Sequence, residues 1–216
     1  MILRPSPHIS PIFRAAFSTT AVKSGYTSNI GKQAIKYPTN VTLTPSPTAL
    51  SVQGPLGTTS VPLHPFVHLQ FSEPQTLSVS VEDAKEKKQR SMWGLTRTLI
   101  FNAIVGMTEG FSVPLYLVGV GYRAAMEDDP RGKMPGWTGK RLAMKLGFSH
   151  SVYVPVPEHI KADVVSPTKI VVSCTDKHQL GLFAAKVRRW RPPEPYKGKG
   201  IFVGTERVRI KSVKKK

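Results

Sequence analysis

The residues best equipped for chemistry crowd one end of the chain. The stretch "RRWRPPEPYKGKGIFVG", residues 188–204, sets Arg188, Arg189, Arg191, Lys197 and Lys199 against a single acid, Glu194. From Lys186 to Lys216 there are twelve Lys and Arg against Glu194 and Glu206, so ten of the chain's +18 formal charges lie here. Guanidinium and ammonium groups donate to phosphate oxygens, so the chemistry on offer is anion binding rather than bond-making. Gly198 and Gly200 alternate with Lys197 and Lys199; without a Cβ the main chain can approach a phosphate and add its N–H groups to the two ammoniums. Pro192, Pro193 and Pro195 are expected to hold the approach to this tip extended.

The neighbouring residues grade by how specific a contact they promise. Arg188 and Arg191 fall on one side by helical spacing and are assigned to the anion ahead of Arg189. Cations in a last helical turn also suit the helix dipole whatever the function. Tyr196 is kept as a contact candidate because its ring can stack on a base or ribose. For Tyr196 and Trp190 alike, packing on the body of the domain is the first expectation. Lys214, Lys215 and Lys216 supply general attraction to phosphate.

Other chemistries fail on inspection. His64 and His68 are four apart, but Pro62 and Pro65 forbid the helix that would aim both at one metal. The Gly-x-Gly of "LVGVGYR" lacks the third glycine of a dinucleotide loop, and "YKGKGIFVG" lacks the spacing and hydroxyl of a phosphate-binding loop. The acids group as Glu82, Asp83, Glu86 and as Glu127, Asp128, Asp129, beside lysines or in loops, and read as solvated surface. Cys174 is the only cysteine, so it forms no intrachain disulfide, and it reads as a buried strand residue. No catalytic, cofactor-binding or metal-binding residue is assigned.

The elements that must position the basic end come in two cycles. Alternating, β-branched runs at 41–45, 49–54, 58–63, 66–71 and 76–81 predict strands. A helix follows over 83–105, with Met92, Leu95, Leu99 and Ala103 as its stripe and Trp93, Ile100 and Ile104 widening it. The second cycle places strands at 111–126, 141–149, 150–157 and 169–174. Its helix spans 175–190, capped by Thr175 or Asp176, with Leu180, Ala184 and Val187 inward. "SPTALSV" (46–52) and "SPTKIVV" (166–172) form a local echo between the cycles. The fold class is α+β, with two tandem duplicated domains, each a small antiparallel sheet packed on one helix. The domains are placed at 37–109 and 110–204, with a basic tail at 205–216. "EDDPRGKMPGWTG" (127–139) reads as an exposed loop inserted between two strands of a hairpin.

The amino-terminal part adds a compartment. Residues 1–72 contain no Asp or Glu, and "MILRPSPHISPIFRAAFSTTAVKS" mixes arginine, hydroxyl and scattered apolar residues. That is the composition of a mitochondrial transit peptide, placed with its tail at residues 1–36. No apolar run is long enough to span a bilayer.

At "RRWRPPEPYKGKGI" the chain resembles the L-six family of large-subunit ribosomal proteins. The resemblance continues at "GMTEGF" (106–111), "LVGVGYRAA" (117–125) and "LGFSH" (146–150) and covers most of residues 40–216. It implies two duplicated α+β domains and binding to large-subunit rRNA near the sarcin–ricin loop, beside the platform where translational GTPases dock. On the family's RNA-contacting loop fall Lys197, Gly198, Lys199 and Gly200, with Arg188 and Arg191 beside it. Neighbouring mitochondrial ribosomal proteins are the other expected partners. The leader and the 127–139 loop depart from bacterial members, and the first domain diverges most. The reading is therefore a structural rRNA-binding protein of the mitochondrial large subunit; the alternative is a basic peripheral protein on an anionic membrane surface.

Overall fold

The computed structural model describes residues 26–212. Most of the acid-free leader and Lys214, Lys215 and Lys216 lie outside the described residues. The first half runs β1 (Ile35–Lys36), β2 (Thr42–Pro45), β3 (Ala49–Gly54), β4 (Gly57–Pro62), β5 (Val67–Ser72), β6 (Thr76–Val81) and α1 (Lys87–Thr108). Its strands form two antiparallel three-stranded sheets, ordered β2-β3-β4 and β1-β6-β5. Strand alternation turns Leu50, Val52, Val61, Leu77 and Val79 into one core with Ile100, Ile104 and Met107 of α1. Burying each such side chain contributes roughly 1.5–3 kcal/mol before entropy is counted.

Two expectations for this half need correction. The stripe of α1 is turned: Leu95 and Leu99 are 47% and 39% exposed, while Thr96, Ile100, Ile104 and Met107 are buried. Trp93 is partly buried against that core, and its indole N–H donates to the Val79 carbonyl at 2.6 Å. α1 has apolar residues on several sides, and only the sheets decide which side is inner. The folded part also begins before residue 37. Ile35 is 1% exposed in β1, and Gly31 lies so close to Trp93 that a Cβ would sit 2.6 Å from the ring. Arg97 Nε donates to the Gln33 carbonyl at 3.2 Å.

The second half runs β7 (Phe111–Val118), β8 (Arg123–Asp128), β9 (Trp137–Lys145), β10 (Val152–Pro157), β11 (Lys161–Ser166), β12 (Lys169–Cys174), α2 (Lys177–Arg189) and β13 (Gly200–Val203). Here too there are two antiparallel sheets, ordered β10-β9-β8 and β11-β12-β7-β13. The predicted strand over 111–126 is two strands, because Gly121 at φ 75° reverses the chain between them. β11 and β13 are additions to the predicted strands. Leu115, Leu142, Met144, Ile170, Leu180, Val187 and Ile201 are fully buried in the second core, with Cys174 at its margin. Asp176 caps α2 by accepting the His178 N–H at 2.8 Å.

Each half thus closes with a hairpin that feeds a helix, β5–β6 into α1 and β11–β12 into α2. The Ser-Pro-Thr echo does not mark that equivalence. It makes the β2–β3 turn in one half and the β11–β12 turn in the other, so the shared triplet is turn chemistry. The halves touch where α1 ends. A Cβ on Gly106 would collide with the Thr175 carbonyl, and one on Gly110 would lie 3.8 Å from the Cys174 carbonyl oxygen.

The inserted loop is a hairpin connection: β8 and β9 pair as far as Asp128–Lys140. Asp129 organises it, accepting from the Arg131 backbone N–H at 3.1 Å and from its guanidinium at 3.0 and 3.2 Å. These bonds hold the Asp129 carboxyl below the usual carboxylate range.

Candidate nucleic-acid interface

The basic stretch is a closed connection rather than a free arm. It leaves α2 at Trp190 and returns as β13, which pairs with β7 from Gly200–Val118 to Val203–Leu115. Three main-chain bonds close it: Glu194 N–H to the Lys199 carbonyl at 2.8 Å, Ile201 N–H to the Arg191 carbonyl at 2.8 Å, and Lys211 N–H to the Pro195 carbonyl at 2.7 Å. The last bond folds the tail back over the loop, where Ile210 Cδ1 would lie 3.7 Å from a Cβ on Gly198. It sets Ile210 and Lys211 against the loop that carries Lys197 and Lys199, while Arg207 and Arg209 earlier in the tail are exposed.

The two glycines of the tip have separate duties. Gly198 adopts φ 65°, the left-handed conformation that turns the tip, and is partly exposed. Gly200 is buried at φ 143°, where a Cβ would lie 2.6 Å from Pro193 Cα and 2.8 Å from the Pro192 carbonyl carbon. Close approach at Gly200 is therefore to its own prolines, which corrects its reading as a phosphate-facing glycine. Lys197 is exposed and Lys199 partly so. Tyr196 and Trp190 are 56% and 45% exposed, so neither ring is buried in the domain and each keeps about half of its surface accessible.

Arg188 and Arg191 are held by partners far away in sequence. Arg188 Nη2 donates to Glu206 Oε1 at 2.6 Å, with the two side chains 40% and 27% exposed. Such a half-exposed pair contributes at most about 1 kcal/mol to stability. Its larger effect is to occupy the acid of the tail with one arginine. Arg191 Nε donates to the Tyr122 hydroxyl at 3.1 Å, and its guanidinium lies 5.1 Å from the Phe148 ring centroid. Arg191 thereby joins the basic connection to the loops at 119–122 and 146–150. Sequence reasoning supplies neither partner, because they stand 18 and 69 residues away.

Among residues 188–212 eight Lys and Arg face Glu194 and Glu206 alone. No group of metal-ligating side chains occurs among the described residues. Fold and surface together define a duplicated α+β scaffold whose last strand is reached through a closed cationic connection.

The comparisons with known proteins agree on one family. The model of the family described as Ribosomal protein L6 matches residues 118–204, which carry most of the second half and the basic connection. The large ribosomal subunit protein uL6 of Zymomonas mobilis is 42% identical over 189 residues, covering 88% of this chain and 99% of its own. The uL6c protein of Arabidopsis thaliana is 40% identical, covering 95% of this chain and 86% of its own. The uL6m protein of Neurospora crassa is 41% identical over 167 residues, covering 76% of this chain and 65% of its own. The chain belongs to the uL6 family of large-subunit ribosomal proteins, which are structural proteins and not enzymes.

Proposed function

We propose that this chain is a structural component of the mitochondrial large ribosomal subunit and holds rRNA through its basic connection and folded-back tail. The observation that carries this is the clipped edge itself. Lys197, Lys199 and Lys211 project from main chain held by the bonds of Glu194, Ile201 and Lys211, with exposed Arg207 and Arg209 in the tail between. Phosphates bound there meet donors that folding has already ordered, so less entropy is lost on binding.

The contact set under this reading is Arg188, Arg191, Tyr196, Lys197, Gly198 and Lys199, with Lys214, Lys215 and Lys216 as general phosphate attractors. Gly200 serves the site by seating the loop. The family resemblance points this surface at rRNA near the sarcin–ricin loop, beside the docking region of translational GTPases. The two domains are taken as 110–204 and the residues from β1 to 109. Two features support the mitochondrial compartment: the acid-free, arginine- and hydroxyl-rich start of the chain, and similarity to the fungal uL6m protein.

The test is sedimentation of a gently lysed mitochondrial extract with and without ribonuclease. Co-migration with the large subunit, abolished by RNA digestion, is the expected result; slow, ribonuclease-insensitive sedimentation rejects the proposal. In purified protein, Lys197→Ala with Lys199→Ala should weaken rRNA binding. It should also lower the slope of log affinity against log salt by about 0.7–0.9 for each phosphate that is no longer neutralised.

A further inference from the structure

The outer face of the β8-β9-β10 sheet has the make-up of a second RNA-contact surface. Its inner face, with Ala124, Leu142, Met144, Val152 and Val154, is sealed in the core. Pairing fixes what lies outside. Arg123 stands opposite Lys145, Ala125 opposite Ala143, Glu127 opposite Arg141, and Tyr153 also faces Ala143. The row at one end is two exposed cations, and neither makes an ion pair among the described residues. The middle row is an aromatic ring beside two alanines. Tyr153 is 46% exposed, and the Arg141 guanidinium sits 3.9 Å from its ring centroid, itself held by Glu127 at 3.2 Å. An exposed ring flanked by small side chains leaves room for a planar base, and cations beside it suit the connected phosphates.

The ends of this sheet's strands adjoin the loops that hold the basic connection. Arg123 follows Tyr122, the acceptor of Arg191, and Lys145 precedes the loop whose Phe148 lies under Arg191 and against His150. Arg191 therefore anchors the basic connection to the two loops, 119–122 and 146–150, that lead into and out of the strands carrying the Arg123–Lys145 row.

We infer that the outer face of this sheet binds an unpaired RNA segment, with Tyr153 stacking on a base and Arg123 and Lys145 holding its phosphates. This rests on the reading of the chain as an rRNA-binding protein and adds a second, base-stacking contact to it. An acidic protein neighbour is the competing occupant; the exposed ring beside a row of alanines favours a base.

The test is binding of the full chain to isolated large-subunit rRNA across a range of salt concentrations. Tyr153→Ala should lower affinity about tenfold with the salt slope unchanged, because stacking releases no counterions. Tyr153→Phe should restore it. Arg123→Ala with Lys145→Ala should reduce the slope by about 0.7 for each phosphate of single-stranded RNA that these residues neutralise. If these variants bind like the parent while Lys197→Ala with Lys199→Ala is weakened, the face inference is wrong and the protein occupant is left. If the parent itself does not bind rRNA, the rRNA reading fails and this one with it.

Discussion

The two halves share an architecture and differ in what they show to solvent. The first ends in a 22-residue helix that leaves Leu95, Leu99 and Phe101 substantially exposed. The second carries a 13-residue helix whose last turn holds Lys186, Arg188 and Arg189, where the last turn of the first holds no cation. The first helix starts without a side-chain cap, whereas the second starts on Asp176. In both, a hairpin and a helix bury an apolar core, so the scaffold alone does not select a partner. The second half alone, among the described residues, adds β13 and the basic connection before it, and the proposed rRNA contact rests on that addition. A duplicated fold here acts as a mount, and one copy carries the tool.

The largest expected effects test whether the copies are separate cores. Ile100→Ala and Leu180→Ala each empty a fully buried site and should each cost about 2–5 kcal/mol. If the cores are independent, the double variant in a denaturant titration should equal the sum within about 0.5 kcal/mol. A larger departure would mean that the Gly106–Thr175 contact couples them. Next in size is Gly200→Ala, confined to the second half. Its Cβ meets proline backbone at a positive φ, so a loss of about 1–3 kcal/mol and weaker rRNA binding should appear together.

Smaller effects sharpen the contrast in charge. Glu206→Gln releases Arg188 from its carboxylate and should tighten rRNA binding at low salt, by about 1 kcal/mol or less, in a filter-binding assay. The smallest effect is expected from replacing residues 130–135 with a two-residue turn, which should shift the melting temperature by only a few degrees. Because the Asp129 carboxyl is held low by Arg131, the order of this loop is kept at neutral pH and lost as acid titrates the group. Proton exchange of the Arg131 amide across that range would show it.

Much of this is legible in the chain. β3, β6 and β12 have the predicted bounds because they alternate β-branched and polar residues between clear turn signals. α2 begins within two residues of its predicted start, set by Asp176, and ends just short of Pro192 as expected. β11 escapes sequence reasoning because "KADVVS" carries charges at 161 and 163 and buries none of its residues fully, so it alternates weakly. The inner face of α1 is ambiguous in sequence because apolar residues surround it. At the site, composition identifies the basic stretch and its anion chemistry. What composition does not supply is closure: Arg188 with Glu206, Arg191 with Tyr122 and Lys211 with Pro195 are contacts that exist only after the sheet has paired. Tyr153 is hidden for the same reason, since its neighbours on the outer face come from register and not from sequence distance.

The pairing of β7 with β13 also sets a schedule. β7 is made some ninety residues before β13, so one edge of the second sheet stays open through much of the chain's synthesis. The bond from Lys211 to Pro195 waits longer still, for the last few residues. The cationic edge is therefore the final thing to take shape as the polypeptide emerges. Because Ile201 of β13 is buried in the second core, completing that core and ordering the cationic edge are one event.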